Sequence, residues 1–423
     1  MTRNVLLVST LDTKAVETLY LRDRIEAGGA RVSLMDLSMG APSGVPCEAP
    51  PEMVAAAAGW TIEDVRRSRD RSKITAAMIS GAVRIARERF ERRELDCVAG
   101  LGGSTGSLMA SDVMRALPFG LPKVMVSSTA ALPGLATRYI DTGDLLLFHT
   151  VVEISGLSPL LKNVLDRAAA AIVALAGVPA VTAESVRGRN LVAMSMFGPC
   201  ERCAHEVRLK LEAAGWRVIG FSAAGVCDRA MEDMIAQGFF SGVIDLASGG
   251  VGEHLLEGMR SAGPFRLEAA GRAGIPQVVA PSGVNLMSPR KSRYKPDYHA
   301  RPKFDLDKLR TFIRLNQAEL ADVARAFAAK LNQAQGPARV LIPTRGWASI
   351  DREGSPIHAP EEDRIFTSVL REALDPKIKV IEIEANLEDD LFIEAVVRNF
   401  SEIAGPAEGA GAADEPLAGR AGR

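Results

Sequence analysis

Short runs of β-branched and aliphatic residues alternate with helical stretches of ten or more residues along nearly the whole chain. No other feature constrains the fold as much. A strand followed by so long a helix rejoins its sheet as a parallel neighbour, through a right-handed crossover. Residues 5–9 read as a buried strand, 14–27 as the next helix, and 31–37 as a second strand. Strands at 96–101, 122–127 and 145–148 follow, with helices at 105–116 and 159–176. One long helix with a basic surface is predicted over 62–94. After the turn-rich segment GVPAVTAESVRG the pattern restarts, with strands at 191–196, 216–221, 242–246, 277–280, 340–342 and 379–383. Residues 281–303 read as a long irregular loop, and 306–333 as a single helix.

The expected fold class is therefore α/β: two Rossmann-like domains, each a mostly parallel sheet with helices on both faces. Their expected spans are 1–180 and 181–404, followed by a disordered tail over 405–423, where Gly, Ala, Pro and charge replace the periodic pattern. Length agrees, because 423 residues exceed one ordinary core.

Charge narrows the partners. Lys plus Arg number 51 against 52 Asp plus Glu, so no broad field exists to hold nucleic acid or an anionic membrane, and neither partner is expected. No apolar run approaches the ~18–20 residues of a membrane span, and the first residues lack the apolar core of a secretory leader. Five scattered cysteines argue against a disulfide framework. A reducing, cytoplasmic location is the expectation.

In parallel sheets ligands sit beyond the carboxyl ends of the strands, which selects four loops in the first domain. The first holds Asp12, Thr13 and Lys14 at a helix start, where unpaired amides and a lysine suit a phosphate. Helix capping by Asp12 or Thr13 is the plain alternative. The second reads Gly102-Gly103-Ser104-Thr105-Gly106-Ser107: glycines allow close backbone approach, hydroxyls surround it, and a helix begins. It has neither the Gly-Lys-Ser/Thr of a Walker loop nor dinucleotide-binding spacing. The third carries Ser128. The fourth carries Asp141 and Asp144, carboxylates placed to touch a ribose or a magnesium ion, or else to close a turn.

Several segments in order, STLDTK, GLGGSTGS, PKVMVSSTA, YIDTGDLLLFHTVVEISGLSPLL, FSAAGVCDRAMEDMI, SAGPFRLEAAGRAGIPQVV and LIPTRGWASID, resemble the Tm-one-like ATP-binding family. The resemblance runs from Val5 to about Ile403. It implies an ATP site built from Asp12 to Lys14, Gly102 to Ser107 and Asp141 to Asp144, with magnesium as the companion ion to test, and a homodimer. The family's loop resembles GGSGGT, so Thr105 and Ser107 here stand for a glycine and a threonine. Hydroxyls are kept while backbone freedom is reduced.

In the second domain, Arg345 after a strand and His299 on the basic loop are the candidate catalytic residues, as an oxyanion ligand and a general acid or base. Ser248, Gly249 and Gly250 complete a cleft for a small acidic metabolite. Cys200 and Cys203 open a helix, which would lower a thiol pKa and suit a redox pair or half a metal site; ordinary helix-start packing is the alternative, and no metal is assigned. Three uses stay open. One is an ATP-binding protein of small-molecule metabolism, another a non-catalytic nucleotide-dependent regulatory module. The third is a lyase or hydrolase of a phosphorylated keto acid.

Overall fold

The computed structural model describes residues 2–308 and 310–407; most of the expected disordered tail lies outside the described residues. The described residues divide into two compact units, one of residues 2–182 and one of residues 183–407.

The first unit runs β1 (Arg3–Ser9), α1 (Leu11–Ala27), β2 (Ala30–Asp36), α2 (Pro51–Ala57), α3 (Ile62–Arg67), α4 (Arg71–Glu91), β3 (Cys97–Gly102), α5 (Ser104–Arg115), β4 (Lys123–Ser127), α6 (Leu135–Ile140), β5 (Leu146–His149) and α7 (Pro159–Ala176). Its five strands are all parallel, in the order β2-β1-β3-β4-β5. β1 shows why both faces are covered. Leu6 and Val8 enter one apolar layer with Met78 and Ile85 of α4 and Met109 and Val113 of α5. Val5 and Leu7 enter the opposite layer with Leu21 and Ile25 of α1 and Leu165 and Ile172 of α7. The single helix expected over 62–94 is two. α3 ends at Ser68, and α4 restarts from Asp70, whose carboxylate accepts the Lys73 amide as an N-cap.

The second unit runs β6 (Leu191–Met196), α8 (Glu201–Ala213), β7 (Arg217–Ser222), α9 (Val226–Ala236), β8 (Gly242–Asp245), α10 (Gly250–Leu255), α11 (Ala269–Ala273), β9 (Gln277–Val279), β10 (Leu286–Met287), β11 (Lys303–Asp305), β12 (Thr311–Arg314), α12 (Gln317–Leu331), β13 (Ala338–Pro343), α13 (Pro360–Ala373), β14 (Lys379–Ile383) and α14 (Asp390–Ala404). Six parallel strands order as β14-β13-β9-β8-β6-β7, and β10-β12-β11 form a small antiparallel sheet. The helix expected over 306–333 loses its first third to that sheet: residues 311–314 are wholly buried as β12. α12 begins only after Asn316, which forms a capping box with Glu319. Together the main sheets bear out the α/β, two-sheet reading. No helix among the described residues is long and apolar enough to cross a membrane.

Candidate functional site

In the first sheet, chain order reverses between β1 and β3, so the loops after these strands diverge to opposite faces and leave a crevice at the carboxyl edge. The glycine loop forms one wall. α5 starts at Ser104 with Gly103 as a cap residue that offers no side chain. The Ser107 amide donates to the Gly103 carbonyl, but those of Ser104, Thr105 and Gly106 meet no acceptor among the described residues. Ser104 and Thr105 are exposed. Twelve residues of aligned peptides stand behind these donors, so positive potential concentrates there.

Gly102 is required by packing, since a Cβ on it would lie 2.9 Å from Gly106 Cα and the Ser107 nitrogen. At Gly103 the situation is opposite. A Cβ there would meet nothing nearer than Ser128 Oγ at 3.9 Å, so the missing side chain leaves space in front of the amides. On the other wall Thr10 Oγ1 lies 3.5 Å from a Cβ built on Gly106.

The start of α1, which looks equivalent in sequence, is already satisfied. Leu11 and Asp12 donate their amides to Asp36 Oδ1 and Ser38 Oγ, and those of Thr13 and Lys14 go to the Thr10 carbonyl. Asp12 Oδ2 accepts the Gly40 amide at 3.0 Å. Asp36 is buried, and burial raises its pKa. The ammonium of Lys14 donates to the Ile154 carbonyl and lies 3.9 Å from Glu153 Oε1, which spends one of its three donors on a hydrogen bond. Ser128 Oγ donates to the same Glu153 oxygen at 3.2 Å. The β1, β3, β4 and β5 loops thus share one edge.

Three expected contributors do not serve as expected. Ser107 is fully buried and donates inward to Gly102 O and Ser127 Oγ, pinning the loop rather than facing a ligand. Asp144 precedes β5 and pairs with the buried ammonium of Lys123 at 2.6 Å and the Gly120 amide at 2.7 Å. Lys123 opens β4, so this pair sits at the amino edge, opposite the crevice. Burial lowers the Lys123 pKa against the pull of Asp144. Asp141 caps α6 and feels the charge of Arg115 at the far end of α5.

Corrections also apply in the second unit. His299 is exposed on a short 3-10 turn with its ring edge-on to Tyr294. Arg345 is exposed and paired with Glu384 at 2.6 Å. Ser248 Oγ donates to the Ala280 carbonyl, and a Cβ on Gly249 would lie 2.4 Å from the Gly283 carbonyl, so this turn is solid packing. Cys200 and Cys203 are fully buried; burial pushes the Cys200 thiol up to about 12 and raises that of Cys203 as well. No group of His, Cys, Asp and Glu among the described residues is arranged to hold a metal.

Sequence reasoning noted Asp228, Asn285 and Asp351 as polar neighbours without assigning them to a site, and missed Arg260, Arg266, Arg314 and Asp363. Fully buried Arg266 binds Asp245 at the end of β8 through both terminal nitrogens, with Asp228 at 3.1 Å and Glu232 at 3.0 Å. Burial raises the pKa of Asp228 and Glu232 against this cation. After β13, buried Asp351 accepts Asn285 Nδ2 and the Trp347 amide on one oxygen and pairs with His358 Nδ1 at 2.9 Å on the other. Asn285 and Arg314 also hold Asp363, whose pKa burial pushes up to about 7. Arg260 is wedged between Phe197 and Phe312. Trp347 and His358 lie 4 and 7 residues from Asp351, whereas the other partners are 21 to 78 residues apart, and the only local cue was a charged residue standing in an otherwise apolar stretch.

Comparison with known proteins places both units. The N-terminal domain of an uncharacterised protein family (UPF0261) matches residues 3–180, and that family's C-terminal domain matches residues 189–404. A UPF0261 protein of Clostridium tetani is 31% identical over 403 residues, covering 95% of this chain and 98% of its own. The ToMV resistance protein Tm-1(GCR237) of Solanum lycopersicum is 31% identical over 324 residues, which is 74% of this chain but 42% of that protein. A solved UDP-N-acetylglucosamine 2-epimerase is similar with a TM-score of 0.22 at 11% identity, over 66% of this chain and 79% of its own, too little to carry an argument.

Proposed function

We propose, starting from the fact that this chain belongs to the UPF0261 family over both of its domains, that the first domain binds a nucleotide, ATP, through its phosphates. Membership bears out the resemblance read from the motifs. The observation that carries the proposal is the set of unspent amides on Ser104, Thr105 and Gly106, standing where the strand order reverses. A phosphate oxygen there gains several short donors at no reorganisation cost, together with the field of α5. Thr10 and Ser104 add hydroxyls, and Lys14 retains two N–H donors for a terminal phosphate. Asp12 shapes the wall by holding Gly40. A small acidic metabolite is the proposed ligand of the second domain, and the nucleotide serves its metabolism.

Thermal unfolding and calorimetry of the full chain with ATP, ADP and inorganic phosphate, with and without magnesium, test this. A ligand of the native state raises stability by about 2.7 kcal/mol at one hundred times its Kd. Binding of ATP that weakens at least tenfold in Lys14→Met is expected. The absence of any shift with all three ligands ends the proposal.

A further inference from the structure

We propose that the second unit carries an oxyanion site of its own, in which the outer edge of the Arg260 guanidinium grips one carboxylate or phosphate group of a small molecule. This deepens the metabolite half of the functional reading and does not depend on the nucleotide half.

The place is set by topology. In the second sheet the chain order reverses between β6 and β8, repeating the arrangement of the first sheet. Phe197 directly follows β6, Gly249 lies just beyond β8, and Gly283 lies just beyond β9. Arg260 enters among them, its guanidinium carbon 5.2 Å from the Phe197 ring centroid and 4.9 Å from that of Phe312. The two rings stand edge to face and both flank the cation.

The group is held from one side only. Its Nε donates to Glu253 Oε1 at 3.0 Å and to Ser288 Oγ at 3.1 Å, and Nη2 lies 2.8 Å from the same carboxylate oxygen. Glu253 is wholly buried and is fixed in turn by the amide and hydroxyl of Ser288. This side-on pairing takes up Nε and one side of Nη2, leaving the outer edge to Nη1 and the second N–H of Nη2. Nη2 is buried and ion-paired with Glu253 Oε1, but makes no aligned hydrogen bond among the described residues. Folded proteins rarely leave such donors unmet, and a guanidinium presenting two parallel N–H groups matches an oxyanion in bidentate fashion.

Space is reserved at that edge. Gly283 adopts φ +74°, and a Cβ on it would lie 3.5 Å from Nη1, 3.7 Å from Nη2 and 3.1 Å from the Phe197 ring. Glycine therefore leaves out the one side chain that would fill the gap beside the fork. Because Glu253 already balances the charge, recognition rests on geometry more than on net attraction, and a single oxyanion group is the suitable ligand.

Full-length protein is titrated by calorimetry with sodium malonate and, separately, inorganic phosphate, against sodium chloride of matched ionic strength. Binding of one of them is expected, with affinity reduced at least tenfold in Arg260→Lys, which keeps the charge but loses the fork. Gly283→Ala gives a second measure that leaves the Glu253 pairing in place, and the same loss is expected. Gly103→Ala, on the first-domain loop, leaves this binding unchanged. Binding that survives Arg260→Lys refutes the site. Phosphate binding lost in Gly103→Ala but kept in Arg260→Lys, with no malonate binding that depends on Arg260, assigns the ion to the first domain, which refutes this inference while supporting the nucleotide reading. Failure of both anions to bind refutes it as well.

Discussion

Alanine placed at Gly102 and at Gly103 separates the architecture of the glycine loop from its function, because neighbouring positions respond in opposite ways. At Gly102 the new Cβ falls 2.9 Å from Gly106 Cα and carbonyl carbon and from the Ser107 nitrogen. Ordinary contact begins at 3.4 Å, and all three atoms are backbone, so the first turn of α5 must shift. Overpacking of that kind costs about 1–3 kcal/mol. For a unit of this size a kilocalorie lowers Tm by roughly 2–4 °C, giving a fall of about 2–12 °C. At Gly103 the nearest atom is 3.9 Å away and φ is −78°, which alanine adopts freely. Reduced freedom of the unfolded chain then makes that variant neutral or more stable by about 0.4–1 kcal/mol. Its methyl group nevertheless occupies the ground before the amides. At an ATP concentration of one hundred wild-type Kd, a tenfold loss of affinity cuts the ligand's stabilisation from about 2.7 to about 1.4 kcal/mol. Differential scanning fluorimetry of both variants, with and without ATP, reads both effects. An unchanged ATP shift in Gly103→Ala refutes the loop as the phosphate site, and an unchanged apo Tm in Gly102→Ala refutes the packing argument.

Two further outcomes concern the buried charges of the second unit. Arg266→Met strands the carboxylates of Asp228, Glu232 and Asp245, so a loss of about 3–5 kcal/mol is expected in urea unfolding at pH 8. Part of it is recovered at pH 5.5 as Asp228 and Glu232, whose pKa burial raises, take up protons, and a loss below about 1 kcal/mol contradicts the assignment. Asp363, with its pKa raised from 3.8 to about 7, holds a proton in the folded state that the unfolded chain has released. Its contribution is therefore complete below pH ~4 and disappears as pH rises through ~7, at up to about 1.4 kcal/mol per pH unit. Asp363→Asn removes that decline while keeping an acceptor for Arg314, and equal slopes in the two proteins over pH 4.5–7.5 exclude the linkage.

Local periodicity carried the architecture: alternating apolar runs and helical spacings fix which residues must be covered, and parallel sheets follow from the crossover lengths. The glycine loop was legible for the same reason, since strand, glycines and helix start are contiguous. Where a pattern was ambiguous, burial resolved it, as when residues 311–314 became a strand inside an expected helix. The site chemistry divides along another line. Two helix starts with similar sequence cues differ because Asp36 and Ser38, a strand away, consume the first two donors of α1, while the amides of Ser104, Thr105 and Gly106 meet no acceptor among the described residues. Asp144 left the site because Lys123, 21 residues before it, needed a buried counter-charge. Arg260 became a candidate through Glu253, Ser288, Phe197 and Phe312, drawn from four separate segments. Hydrogen bonding is short-ranged and saturable, so whether a donor is free depends on what the folded chain brings within 3 Å, which spacing along the sequence does not encode.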